Sequence, residues 1–286
     1  MPTLRLLWFV PTPIAVVAQS ALLFEGVEVQ AERNPSSDAQ FEALRDGVVD
    51  AVVTAMDNVM DWNLRHGPQD LRIAAQMERT TALTLVGRPG LAGLGALRGA
   101  RILVDAPRNG FVVALLALLA DAGIFAATAA ELQLLPAGGV SERFEALRDG
   151  RGDATLLGPP FDAMALAAGL QRVASVQESC PDFPGQGLVV SAAAMTRLQP
   201  TLQRWLAGLE RARRLMASDP RRCAGALATA GFAPQAVDAM VAAAPRSLVP
   251  DRAGIELLIR QRRSVGLPGA QLGYDDLVDL RALPER

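Results

Sequence analysis

The sequence predicts an α/β protein made of two similar Rossmann-like lobes with a central cleft, joined by two crossover strands. Three observations carry that expectation. The heptapeptide FEALRDG occurs at 41–47 and again at 144–150, and each copy is followed after two residues by an Asp-Ala pair, Asp50-Ala51 and Asp153-Ala154. Around each copy the apolar pattern runs strand, helix, strand, helix, strand. The composition, half hydrophobic and a fifth charged, is globular, and the length suits two units of roughly 100–150 residues each.

The first lobe opens with a buried strand over 4–10. Pro11 and Pro13 stiffen the turn after it, and an apolar helix is expected from about Ile14 to Phe24, closed by Gly26. The second lobe repeats the order with ARILVD, the turn APRNG and FVVALLALLADAG, closed by Gly123. Second strands follow, VEVQAE and ELQLLPA, then the polar turns NPSSD and GGVSE. The helices carrying FEALRDG stop at Gly47 and Gly150, because glycine takes the left-handed conformation at little cost. The third strands are VVDAVVTA and GDATLLGP. Connections of this length imply parallel strands with helices on both faces.

TALTLVGRPG at 81–90 reads as the exit to the second lobe and GQGLVVSAAAM at 185–195 as the return. The remainder is helical and expected to pack back on the first lobe through an apolar face marked by Trp205, Leu206 and Leu209. The expected divisions are 1–86, 87–187 and 188–286.

The chain has no lysine: all 28 basic residues are arginine. Schiff-base chemistry on a side-chain amine and a lysine-bearing phosphate loop are therefore excluded. Cys180, Cys223 and His66 are too few and too scattered for a Cys/His zinc site, and no cofactor is expected. His66, followed by Gly67 and Pro68, sits where a helix C-terminus favours a cation. The arginine-rich runs of the C-terminal third read as solvated helix faces. Nucleic acid is not an expected partner, since aromatic interleaving is missing. The first twenty residues resemble a signal peptide superficially, but two prolines interrupt the apolar run and the basic segment is thin. They are read as strand, turn and helix. No run reaches the roughly 18 apolar residues of a membrane helix, so membrane insertion is not expected.

FEALRDGVVDAVVTAMDNV, LGALRGARILVDAPRNGF, RFEALRDGRGDATLLGPP, PGQGLVVS and the late YDDLVD together resemble the type II periplasmic solute-binding proteins of ABC importers. The likeness is strongest to the branch of sulfonate and thiamine-pyrimidine-precursor binders. The resemblance implies a monomer whose two lobes close on a small molecule and whose closed form meets a membrane permease. It also implies a periplasmic location, with a cytoplasmic relative as the alternative because no export signal is visible. Carried onto this chain, the cleft positions are Ser36, Ser37, Asp57, Asn58, Arg108, Asn109 and Gly139.

The residues have plain readings as well. Ser36 and Ser37 suit helix capping, as do Asp57 and Asn58. Arg108, in the turn before an apolar helix, would hold a carboxylate, sulfonate or phosphate bidentately, or is a surface arginine. Thr12, Gly158 and Gln186 lie in turns or crossovers expected at the cleft. Trp62 is at core spacing. The expected function is binding of a small anionic organic solute without chemistry. The alternative is an enzyme on the same scaffold, acting on a small organic acid, with Asp57, Asp61, Ser36 and Arg108 in acid–base or electrostatic roles.

Overall fold

A computed structural model describes residues 2–65, 70–108, 110–124 and 132–284. The first βαβαβ unit comprises β1 (Thr3–Trp8), α1 (Pro13–Ser20), β2 (Glu28–Arg33), α2 (Ser37–Arg45) and β3 (Ala51–Ala55), followed by α3 (Asn58–Trp62) and β4 (Leu71–Gln76). The chain then enters β5 (Thr84–Gly87). The second unit comprises β6 (Arg101–Val104), α4 (Phe111–Asp121), β7 (Gln133–Pro136), α5 (Val140–Arg148) and β8 (Ala154–Leu157). It is followed by α6 (Phe161–Ala167), β9 (Gln171–Ser175) and α7 (Val176–Ser179). The chain returns through β10 (Gln186–Ser191). It ends in α8 (Ala192–Ser218), α9 (Pro220–Thr229), α10 (Pro234–Ala242), α11 (Arg252–Ser264) and α12 (Tyr274–Leu277).

The two sheets have the strand orders β2-β1-β3-β10-β4 and β7-β6-β8-β5-β9. They are the same plan, with both FEALRDG helices in matching slots. Within each unit the strands are parallel. The fourth place in each sheet is filled by an exchanged strand, β10 or β5, antiparallel to both neighbours. The sheets are therefore mixed, where the repeat alone implied parallel strands. An exchanged strand arrives from the other lobe without a helical crossover in its own sheet, so nothing constrains it to run parallel. Because β5 lies in the second sheet and β10 in the first, the sheet changes fall just before 84 and 186.

The helix ends show how far the duplication extends. After α2 and α5, Gly47 and Gly150 adopt φ of 67° and 76°. The following amides, Val48 N and Arg151 N, bond back to Ala43 O and Ala146 O, both at 2.9 Å. Gly123 closes α4 in the same way. The counterpart in the first lobe is not Gly26. Helix α1 ends at Ser20, and Leu22 takes the left-handed position at φ 54°, with Leu23 N bonded to Ala18 O at 2.9 Å. The helix stops short of Phe24 because that ring turns away to pack on Trp205, 6.2 Å between centroids.

The Asp repeated after each FEALRDG forms a clamp. Arg5 donates its backbone N and Nε to Asp50 Oδ2 at 3.0 and 3.1 Å, and its Nη2 to Gly47 O at 3.0 Å. Arg101 does the same with Asp153 Oδ2 at 2.8 and 3.2 Å and with Gly150 O at 3.4 Å. Each carboxylate takes a second arginine from just beyond the exchanged strand, Arg197 at 2.9 Å and Arg88 at 3.0 Å. Burial pushes Asp50 up, but the Arg5 and Arg197 hydrogen bonds outweigh it and hold the carboxyl at about 2. Hydrogen bonds from Arg101 hold Asp153 at about 2 as well, against a smaller effect of burial.

Trp205, Leu206 and Leu209 are fully buried against α1 and the first sheet, as their spacing implied. The C-terminal segment is not confined to the first lobe, however. Helix α11 packs on α4, and Ile255, Leu258 and Ile259 share a core with Leu115 and Leu119. The apolar α4, buried over most of its length, needs a cover that the second lobe does not supply.

Candidate functional site

A cavity of about 300 Å³ lies between the lobes. The first lobe contributes Phe9, Val10 and Pro11 after β1, Pro13 at the start of α1, Thr54 and Ala55 from the end of β3, and Asn58 at the start of α3. The second contributes Asp105, Gly110 and Phe111 after β6, Val140 and Arg143 at the start of α5, and Leu156, Gly158 and Pro159 around the end of β8. The crossover segments supply Glu78–Ala82 and Gln186, and α10 closes one side with Ala239, Met240 and Ala242. The cavity thus lies beyond the carboxyl ends of strands in both sheets, where helix N-termini leave backbone N–H groups free.

Asn58, Gly158 and Gln186 line this cavity. The Asn58 amide donates to Thr54 Oγ1 at 2.7 Å, and its Oδ1 is buried without a partner among the described residues. Gln186 lies 3.4 Å from Glu78 Oε1, and Thr81 Oγ1 donates to Glu78 Oε2 at 2.8 Å. Burial pushes the Glu78 carboxyl up in spite of these bonds.

The other expected residues do different work. Thr12 is buried at the N-cap of α1, between the two wall prolines. Ser36 caps α2 by accepting from Ala39 N at 3.1 Å. Ser37 Oγ reaches across the cleft to Asp105 Oδ2 at 2.6 Å. Gly139 lets the second lobe approach the first: a Cβ there would lie 3.1 Å from the Phe9 ring. Asp57 stands at the N-cap position of α3 but pairs with Arg262 Nη1 at 3.1 Å, both side chains buried. Burial raises the Asp57 carboxyl to about 7, against the pull of Arg262. Arg108 does not face the cavity. It donates to the fully buried Asp61 at 3.1 Å, and its carbonyl accepts from Arg262 Nη2 at 3.3 Å. The reason is electrostatic: Asp61, with no exposure, takes its counter-charges from Arg65, Arg108 and Arg262. Trp62 packs in the core against Phe41, 6.0 Å between centroids. Asn109, His66, Gly67 and Pro68 lie outside the described residues.

Polar contacts that span the cleft include Ser37–Asp105, Arg108–Asp61, Arg262–Arg108 and Arg33 Nη2–Ser141 Oγ at 2.8 Å. The lobes touch in this form. Sequence reasoning missed Phe9, Glu78, Asp105, Phe111 and Arg143. Phe9 and Phe111 flank the expected turns at 10–13 and 106–110 and were within reach of the strand-end rule. Glu78 and Arg143 were not, because the first lies in a crossover and the second inside a helix.

No protein-family model matches the chain, and no curated protein matches it in sequence. Solved structures match it along almost its whole length. The ligand-binding component of an ABC-type import system from Staphylococcus aureus, with zinc bound, superposes with a TM-score of 0.79 at 13% identity, covering 99% of this chain and 98% of that one. The alkanesulfonate-binding protein from Xanthomonas axonopodis pv. citri, bound to MOPS, gives 0.74 at 19% identity, over 99% and 98%. A Candida albicans protein that exhibits the generic periplasmic binding protein fold gives 0.75 at 10% identity, over 96% and 93%. This chain has the periplasmic binding-protein fold. No group of three His, Cys, Asp or Glu suited to a metal is found among the described residues. No described helix is long and apolar enough to cross a membrane.

Proposed function

We propose that the chain binds a small organic solute in the interlobe cleft, without chemistry, and serves as the substrate-binding component of an ABC importer. The observation that carries this reading is one cavity walled by both lobes and both crossover segments. A solute there touches every part that must move together on closure. The lobes, roughly 1–80 with the return strand and its helices, and 84–180, hinge on the crossovers and work as a monomer in the periplasm. The closed form is what the permease meets. Of the cleft-spanning contacts named above, Arg33–Ser141 joins exposed side chains and is exchanged for water at little cost on opening, whereas Ser37–Asp105 and Arg108–Asp61 each have one buried partner and resist opening more.

The Staphylococcus aureus and Xanthomonas axonopodis proteins named above, a ligand-binding import component and an alkanesulfonate binder, support the reading. So does the use of Asp57, Asp61, Ser36 and Arg108, the groups an enzymatic reading would need. Three are tied to one another and to Arg262, and the fourth caps a helix. The test is thermal stability against a panel of small acids and heterocycles, with small-angle scattering on any hit. At a hundredfold excess over Kd a true ligand should raise Tm by about 5 °C or more and reduce the radius of gyration of any open fraction. A panel with no stabilising member would overturn the proposal.

A further inference from the structure

We propose that Arg143 is the anion anchor of this cleft, selecting a small organic acid by pairing its guanidinium with the solute's carboxylate or sulfonate. This deepens the solute-binding reading and rests on it.

The duplication supplies the argument. Gln40 and Arg143 immediately precede the phenylalanines of the two FEALRDG copies. Gln40 Nε2 donates to Val53 O at 3.0 Å, and Arg143 Nη1 donates to Leu156 O at 2.7 Å. Val53 and Leu156 stand at matching places in β3 and β8. The slot thus asks for one donor that ties the helix to the third strand, and a neutral amide meets that need in the first lobe. The second lobe places a full charge there. The fold absorbs only part of its further donor capacity: Nη1 also reaches Thr155 Oγ1 at 3.2 Å, while Nε is buried with no hydrogen-bond partner among the described residues.

Position separates the two residues further. Gln40 is fully buried and away from the cavity, whereas Arg143, 7% exposed, lines it. Asp105 and Glu142 pull the guanidinium toward its charged form, but burial outweighs them. Asp105 is held across the cleft by the Ser37 hydroxyl and amide, and no hydrogen bond joins it to Arg143 among the described residues. A cation kept out of water with an unpaired N–H is costly unless an anion completes it. Phe9, Phe111, Val140 and Leu156 contribute apolar wall to the same cavity, and low polarity strengthens a charge-assisted bond.

The experiment compares acids with neutral amides of the same body: benzoate, benzenesulfonate and butanesulfonate against benzamide, benzenesulfonamide and butanesulfonamide. Each is titrated by thermal shift and calorimetry into the full chain and into Arg143→Gln and Arg143→Lys. In the wild type the acids should bind more tightly than their amides. Arg143→Gln, whose amide can make the strand tie as Gln40 does, should weaken the acids by roughly 10- to 100-fold, as for a lost hydrogen bond to a charged group. It should leave the amides within about threefold and the ligand-free Tm no lower, because an unpaired buried charge has been removed. Arg143→Lys should keep the preference for acids at reduced affinity. A merely structural role would weaken acids and amides alike. Acid preference surviving in Arg143→Gln overturns the anchor, as do amides binding the wild type as well as or better than acids. The last result leaves solute binding itself intact. No binding by any of the six overturns the anchor too, and the solute-binding reading then stands or falls on its broader panel.

Discussion

Replacing Asp50 or Asp153 by Asn tests whether the two clamps are one inherited device. A carboxyl held at about 2 instead of the usual 3.8 stabilises the ionised fold by up to about 2 kcal/mol. Arg5 and Arg101 are each 43% exposed, so solvent screening reduces this to about 1 kcal/mol per clamp. Neither substitution strands a buried cation, because Arg88 and Arg197 also reach solvent. Each variant should lose about 2–4 °C in Tm at pH 7. The double variant should lose the sum, since the clamps sit in different lobes and share no partner. In both clamps the folded pKa lies below the unfolded value. The stabilisation is therefore complete above the unfolded value of 3.8 and is lost as pH falls from there toward about 2. In urea titrations the gap between wild type and variant should hold from about pH 7 to 5 and narrow toward pH 3. A gap absent at neutral pH, or undiminished in acid, refutes the electrostatic account. A severalfold difference between Asp50→Asn and Asp153→Asn refutes the equivalence of the lobes.

Leu22→Gly should stabilise the protein: it relieves the left-handed backbone of a side chain that is 86% exposed, a cost of about 1–2 kcal/mol, partly offset by the chain entropy of glycine. A fall in Tm would show that Leu22 makes contacts worth more than its strain. Ser37→Ala removes a 2.6 Å bond between the lobes and should speed release of a stabilising solute by about 3- to 10-fold in stopped-flow; an unchanged rate would mean that this bond does not hold the closed form. Gly185→Ala would set a Cβ 2.5 Å from the Glu78 carbonyl oxygen in the crossover region, and should cost at least about 2 kcal/mol. Gly225→Ala, with nothing within 4 Å, is the control that should be neutral or stabilising in thermal melts.

Much of the architecture could be read from the repeat. The strand, helix and strand order, the stops at Gly47, Gly123 and Gly150, and the core face of Trp205 all follow from local periodicity and backbone freedom. Gly26 misled because a helix end is decided by what packs beyond it, and Phe24 is drawn to Trp205. The site was less legible. Position along a strand places Asn58 and Gly158 at the cleft, and the crossover places Gln186 there. Whether a charged side chain at such a position faces the solute depends on which opposite charge lies nearer, and that partner is distant in sequence.

Arg108 shows the difference. By itself the chain declares a doubled α/β unit, since burial period, glycine stops and identical heptapeptides are local properties that survive in any context. It does not declare which guanidinium is left for a ligand. That follows only when Asp61, buried in the first lobe, claims Arg108 from the second, while Arg143 lines the cavity with its Nε lacking a partner among the described residues. Charges in a low-dielectric interior pair by distance in space, and the fold alone sets that distance.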